Sequence, residues 1–212
     1  MSKFEDNLYD EVTEKSSAKL LDSYLKNRSG RYFEMFRPHE KKPNEVTPSD
    51  LLAVSQLSMK IGGYQKSDSI PESAVIKLFE TKFQKKISIS LAKIKTTWRL
   101  ETISPKDLEI FNNEIDKLWP ILRDEVGLKR VATYKLMARK RPHLCPIRDS
   151  FAEKVLGHQK NWYTSWYSAF QPEIGVVAEL QTLRKNCLAA RHLSLLRVAD
   201  IIIWERQKRP QP

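Results

Sequence analysis

Apolar residues recur at helical spacing along most of the chain. The first such segment extends from Phe4 to Lys26, and its predicted buried face consists of Leu8, Val12, Leu20, Leu21 and Leu25. Partial alternation occurs from Ile87 to Ile94, which is compatible with a strand. The helical pattern on both sides favours a loop or a helix start there instead. The pattern as a whole predicts an all-α protein.

Two further helices are predicted from their start signals. Thr47-Pro48-Ser49-Asp50 and Ser104-Pro105-Lys106-Asp107 share the same order of residue types. The hydroxyl can cap the helix, proline suits the first helical position, and the acid belongs in the first turn. The second of these signals opens a helix that we predict from Leu108 to Arg123.

A hairpin is predicted at about residues 108–141, where two amphipathic helices flank Gly127. The second of these helices is expected from Lys129 to Arg139. Two helices joined by a glycine turn predict a helix-hairpin-helix, in which the turn amides and the positive end of the second helix bind a phosphate. Leu128 lies in the turn, and Lys129 and Arg130 add positive charge beside it.

Three consecutive cations, Arg139-Lys140-Arg141, end the second hairpin helix just before Pro142. Cations are favoured at a helix C-terminus, so a solvated last turn is one interpretation. Contact with nucleic-acid phosphates is the other. The hairpin upstream makes us favour phosphate contact.

The net charge of the chain indicates a polyanionic partner. The 212 residues include 37 Lys and Arg against 26 Asp and Glu, for a formal net charge of +11 and a pI near 9.6. The length favours a single domain over residues 1–212, or one domain built from two lobes. A hydrophobic fraction of 41% with only six glycines excludes disordered and fibrous classes.

Cysteine and histidine usage predicts neither a metal site nor another cofactor. The two cysteines and four histidines are scattered and form no spaced ligand set. The first residues lack the apolar core of a signal peptide, and no run approaches the length of a membrane span. We therefore expect a cytoplasmic protein without a membrane partner, and the sequence gives no sign of an obligate protein partner.

The segment from Val126 to Asp149 resembles the helix-hairpin-helix DNA glycosylase superfamily, which includes endonuclease III. The hairpin of that family has the pattern Gly-hydrophobic-Gly-x-x-Thr-Ala, with an essential Asp further along the chain. Gly127 and Leu128 match the first two positions, Ala132-Thr133 the small pair, and Asp149 the spacing of the essential Asp. Lys129 replaces the second glycine, which would matter if the backbone there had a positive φ.

The resemblance implies a two-lobed helical fold and a monofunctional DNA glycosylase. Val131 stands where bifunctional members carry the lysine that forms a Schiff base. Asp149 would stabilise the cationic sugar and orient or deprotonate water. Its other interpretations are a helix cap or an ion pair with Arg148. A base flipped out of double-stranded DNA would need a pocket, and the candidates for its lining are Arg31, Tyr32, Trp98 and Tyr134.

The chain is also similar to a bacterial family of uncharacterised small proteins. The shared motifs are Lys135 to Pro142, Pro146 to Asp149, and His192 to Asp200, with fainter matches at Arg31-Tyr32-Phe33 and Trp98-Arg99-Leu100. This second resemblance covers more of the chain but implies no activity.

Three classes of function therefore remain open at the level of sequence. The first is a base-excising hydrolase that acts on a damaged base in repair or on a modified base in anti-phage defence. The second is a helix-hairpin-helix module that binds DNA without chemistry. The third is a structural or regulatory protein whose basic surface binds RNA or an acidic protein.

Overall fold

The structure is a computed structural model that describes residues 1–35, 41–62 and 69–208. Its architecture is all-α, as predicted. The described α-helices, in chain order, are α1 (Lys3–Thr13), α2 (Ser17–Asn27), α3 (Pro48–Ser55), α4 (Glu72–Phe79), α5 (Thr81–Lys93), α6 (Pro105–Pro120), α7 (Arg130–Lys140), α8 (Ser150–Leu156), α9 (Trp162–Ala169), α10 (Val176–Asn186) and α11 (Leu195–Lys208). None of them has the length and apolar character that crossing a bilayer requires.

Short elements connect these helices. Two two-residue strands, β1 (Lys60–Ile61) and β2 (Ser69–Ile70), pair in parallel. Short 3₁₀ turns occupy Ser29–Glu34, Pro172–Ile174 and Leu188–Ala190, and a π-helical turn, Ile121–Glu125, continues α6. The described chain divides into two compact units, one holding residues 1–31, 99–101 and 142–208, the other holding the described parts of 32–98 and 102–141.

Both predicted start signals are confirmed. The Thr47 hydroxyl accepts from the amide of Asp50, and the Asp50 carboxylate accepts from the amide of Thr47, which completes a capping box. Ser104 caps α6 in the same way by accepting from the amide of Asp107. Proline occupies the first turn of both helices.

The predicted helix from Phe4 to Lys26 is wrong as a single element, because the chain leaves the helical path at Glu14. The backbone of Glu14 is extended, with ψ of 134°. The Ser17 hydroxyl donates to the carbonyl of Glu11 at 2.8 Å, and the Glu14 carboxylate accepts from the amide of Ser16 at 3.2 Å. These local side-chain bonds replace helical backbone bonds, so α1 and α2 are separate helices.

An aromatic cluster forms part of the core of the first unit. Phe4 of α1 meets Trp162 and Trp166 of α9 edge-on, each at a ring separation of 5.8 Å. Trp166 also contacts Phe170 at 5.7 Å. All four rings are buried, and such edge contacts add to the large apolar area that they remove from water.

Helix α11 joins this unit through polar contacts of its buried residues Glu205 and Arg197. Glu205 is 2% exposed and binds Arg28 through two bonds of 3.0 and 3.1 Å. Arg197 is also buried, pairs with Asp200, and donates to the Tyr24 hydroxyl at 2.9 Å. Tyr24 belongs to α2 and Arg28 follows it, so these contacts hold α11 against α2.

The second unit is built around the buried basic end of α7. Lys140 donates to Asp50 Oδ2 at 2.9 Å, and Arg139 lies 3.4 Å from Asp50 Oδ1. Arg139 donates to the Phe33 carbonyl at 2.8 Å, and Lys135 to the Leu57 carbonyl at 2.6 Å. The Arg141 guanidinium donates to oxygens of Pro43, Asn44, Leu91 and Ile94. We call Lys135, Arg139, Lys140, Arg141 and Asp50 the buried basic network.

Burial opposes the charge of Lys140 in this network. It lowers the pKa of Lys140, although the adjacent Asp50 carboxylate favours the charged ammonium and opposes the effect. The network therefore depends on Asp50 and on the surrounding carbonyl groups to compensate cations that water does not reach.

We expect Asp50→Asn to destabilise the protein strongly. The substitution keeps the shape of the side chain but leaves Arg139 and Lys140 buried without their carboxylate, which costs about 3–5 kcal/mol in comparable sites. Urea unfolding measures the loss. Asp22→Asn is the matched control, because it breaks an exposed pair with Lys26 and should cost about 0.5 kcal/mol or less. Equal losses of unfolding free energy in the two variants would show that Asp50 does not stabilise the buried basic network.

Candidate nucleic-acid interface

The turn between α6 and α7 has the backbone geometry that a glycine requires. The π-helical turn ends α6, with the Val126 amide donating to the Ile121 carbonyl at 2.9 Å. Gly127 then adopts φ of +92°. The Leu128 amide donates back to Leu122 at 2.9 Å, while its side chain is buried. This is a Schellman-like cap lengthened by the π turn, and it reverses the chain within four residues.

Lys129 starts α7 from an ordinary backbone conformation. Its φ is −74° and its ψ is 157°, so a lysine fits where the related hairpin pattern has a second glycine. Lys129 is the N-cap residue, but its side chain makes no capping hydrogen bond. Within the described residues, the amides of Val131 and Ala132 have no acceptor. The positive end of α7 is therefore available to an anion beside exposed Gly127.

The two hairpin helices contact each other through aromatic rings. Trp119 of α6 meets Tyr134 of α7 at 4.7 Å between ring centroids. Tyr134 is 6% exposed. Its predicted place in a base pocket is therefore wrong for this structure, because the ring is a packing residue of the hairpin.

Asp149 is the N-cap of α8 in the first unit. Its Oδ1 accepts from the amides of Phe151 and Ala152, at 3.1 and 3.0 Å. Among the described residues, Oδ2 has neither a hydrogen-bond nor an ion-pair partner. Arg148 pairs with Glu153 at 2.8 Å instead, and lies over the Trp162 ring. Asp149 thus has one fixed oxygen and one available oxygen on a half-buried side chain.

Residues 17–207 match the model of a family of unknown function, DUF6308. The chain belongs to this family. Comparison with curated proteins and with solved structures gave no match.

In this family member, the three cations at the end of α7 do not form a phosphate-binding surface. Arg139, Lys140 and Arg141 are each no more than 2% exposed and donate to protein oxygens in the buried basic network. The predicted phosphate contact is wrong for these three residues, and so is the alternative of a solvated turn. Leu128 is also unavailable to DNA, because its side chain is buried and its amide is bonded to Leu122.

The remaining base-pocket candidates have separate surroundings. Arg31, in the first unit, donates to the carbonyls of Leu25 and Lys26 at the end of α2. In the second unit, Tyr32 is 37% exposed, and Trp98 lies under the Lys95 ammonium at 5.5 Å. None of these candidates lines the cavity of about 300 Å³ found in the first unit, whose walls are Asn7, Asp10, Glu11, Lys154, Val155 and Gln207.

His143 of the first unit lies among charged side chains, a grouping that the sequence did not indicate. Arg99 Nη1 lies 2.7 Å from His143 Nδ1, and the Leu100 amide donates to the His143 carbonyl at 3.0 Å. Burial, together with the charges of Arg99 and Arg184, lowers the pKa of His143 to about 4. The only signal in the sequence was the Trp98-Arg99-Leu100 motif, which placed Arg99 beside a pocket candidate but did not connect it to His143.

We expect Gly127→Ala to destabilise the hairpin by about 1–2 kcal/mol, the usual cost of a side chain in a left-handed conformation. The cost is conformational, since nothing lies within 4 Å of the added Cβ. Thermal unfolding measures it. Lys129→Gly is the comparison, and it should bring no gain because φ at that position is already negative. Unchanged stability in Gly127→Ala would contradict the assigned turn.

Proposed function

We propose that the protein is a monofunctional DNA glycosylase that hydrolyses the N-glycosidic bond of a damaged or modified base. The observation that carries the proposal is the geometry of Asp149. Two helix amides fix one carboxylate oxygen, and the other oxygen has no partner among the described residues. A carboxylate held in this way needs little reorganisation when charge develops near it.

The chemistry of base excision requires a carboxylate in such a position. Cleavage of a glycosidic bond passes through a sugar with oxocarbenium character, which an adjacent carboxylate stabilises. The same Oδ2 atom can accept a hydrogen bond from the attacking water and take up its proton. Val131 has no amine, so the covalent Schiff-base route is not available at that position. A water-dependent, monofunctional reaction follows.

The hairpin carries the groups that would bind the DNA backbone. Gly127 is exposed, and α7 begins without a capping side chain, with half-buried Lys129 and Arg130 in its first positions. Helix amides and nearby cations are the groups that bind phosphates. The proposed DNA contact consists of Gly127, Lys129 and Arg130, without the buried cations at the other end of α7.

A non-catalytic DNA-binding protein is the second candidate. It is favoured by the two amide bonds to Asp149, since helix capping explains an acid at this position without any chemistry. The two functions predict the same hairpin but different consequences of changing Asp149.

We expect Asp149→Asn to slow base excision strongly without loss of stability. Asparagine caps a helix as well as aspartate does, but it lacks the negative charge that stabilises the sugar cation. The assay uses duplexes carrying varied damaged or modified bases, followed by alkaline cleavage at abasic sites. We expect cleavage by wild type and a reduction of about 100-fold or more in the variant.

Asp149→Ala completes the comparison, because it should also lose about 1 kcal/mol of stability with the cap. Cleavage by Asp149→Asn at the wild-type rate would refute the catalytic role. DNA binding without cleavage of any duplex by wild type would favour the non-catalytic function.

We expect Lys129→Glu to weaken DNA binding and to reduce its dependence on salt. Loss of one phosphate contact lowers the slope of log K against log salt by about 0.9. Fluorescence anisotropy with a duplex over a salt series measures both quantities. Lys19→Glu, at an exposed position on α2, makes the same change in net charge. Identical slopes for the two variants would remove the hairpin from the interface.

A further inference from the structure

Two arginines from separate segments of the first unit act on His143, Arg99 by direct contact and Arg184 through its charge. Arg99 belongs to the short segment 99–101, which the Leu100 amide ties to the His143 carbonyl at 3.0 Å. Arg184 lies in the last turn of α10, where its Nη1 donates to the Leu193 carbonyl at 3.2 Å. The charge of Arg184 acts on the same imidazole that Arg99 touches.

Within the part of the chain that the structure describes, these cations lack the anionic partners that other arginines of the unit possess. Arg28 pairs with Glu205, and Arg148 with Glu153. In contrast, no carboxylate of the described residues forms an ion pair with Arg99 or Arg184. Their acceptors are an imidazole ring and a backbone carbonyl, both of them neutral. Each guanidinium has five N–H groups, so most of these donors remain available.

The imidazole contributes a further donor. Arg99 Nη1 lies 2.7 Å from Nδ1 and 3.2 Å from Nε2, so the guanidinium contacts the ring beside both of its nitrogens. The neutral imidazole carries one N–H donor, whichever nitrogen holds the proton. The group therefore combines two cations with a neutral N–H donor, and nothing described within it balances the charge.

We propose that Arg99, His143 and Arg184 form a binding site for a phosphate group. Guanidinium groups bind phosphate oxygens in pairs through their planar fork, and an imidazole N–H suits a third oxygen. A phosphodiester of a nucleic acid and a free phosphate monoester present the same oxygens. The site does not depend on the proposed glycosylase activity, because neither Asp149 nor the hairpin belongs to it.

The first test uses inorganic phosphate as the probe. NMR spectra of the His143 imidazole are recorded during titration with phosphate at constant ionic strength, with chloride as the reference anion. The bound anion should favour imidazolium against the charges of Arg99 and Arg184, and so raise the pKa of His143 from about 4. Arg99→Gln and Arg184→Gln should each weaken phosphate binding by about tenfold.

Lys19→Gln, an exposed position of the same unit, makes an equal change in net charge and should bind phosphate as wild type does. Thermal unfolding checks that all variants fold. If wild type gives no response specific to phosphate, or if the two arginine variants match Lys19→Gln, the site does not exist.

A second arm identifies the source of the phosphate. The double variant Arg99→Gln/Arg184→Gln is compared with wild type in duplex DNA binding over a salt series. A slope lowered by about 1.8, for two lost contacts, supports a nucleic-acid phosphodiester. An unchanged slope with lost phosphate binding supports a free phosphate monoester. Because Asp149→Asn leaves this site intact, failure of base excision and failure of phosphate binding are separate results.

Discussion

The pairing of Asp50 with Arg139 and Lys140 is the interaction on which the second unit depends. It ties the C-terminal turn of α7 to the first turn of α3, both out of contact with water. The opposite end of α7 begins at the exposed Gly127 turn. One helix thus has a fixed, buried end and an accessible end. A rigid anchor of this kind holds the accessible end in a defined position, which suits a group that must bind a ligand with fixed geometry.

The parts of the fold that depend on neighbouring residues could be predicted from the sequence. The capping signals at Thr47 and Ser104 and the glycine turn at Gly127 are local patterns, and the structure has all three. The segment from Ile87 to Ile94 was harder to predict, because its apolar residues fit both the alternation of a strand and the spacing of a helix. It lies largely within α5, where Ile87 and Leu91 are buried one turn apart while Ile89 is 53% exposed. The expected loop or helix start was wrong there.

The candidate sites were less predictable, because their roles depend on distant partners. Nothing near Arg139-Lys140-Arg141 in the sequence indicates that carbonyls from residues 33, 42–43, 91 and 94 surround these cations. Likewise, His143 meets a residue 44 positions earlier in the chain. The role of Asp149 is hard to predict for a different reason. A helix cap and a catalytic carboxylate need the same residue at the same place, and its geometry is compatible with both roles.

The buried cations also change what the overall composition means for partners. Among the described residues, six of the buried charged side chains are cationic and three are anionic, so they hold +3 of the formal +11 and leave +8 for the rest of the chain. A polyanion approaching the folded protein meets this smaller charge. The unfolded chain exposes all of it. Composition therefore overstates the electrostatic attraction of the native state, and heparin or nucleic acid in a refolding mixture would act more strongly on the unfolded protein than on the product.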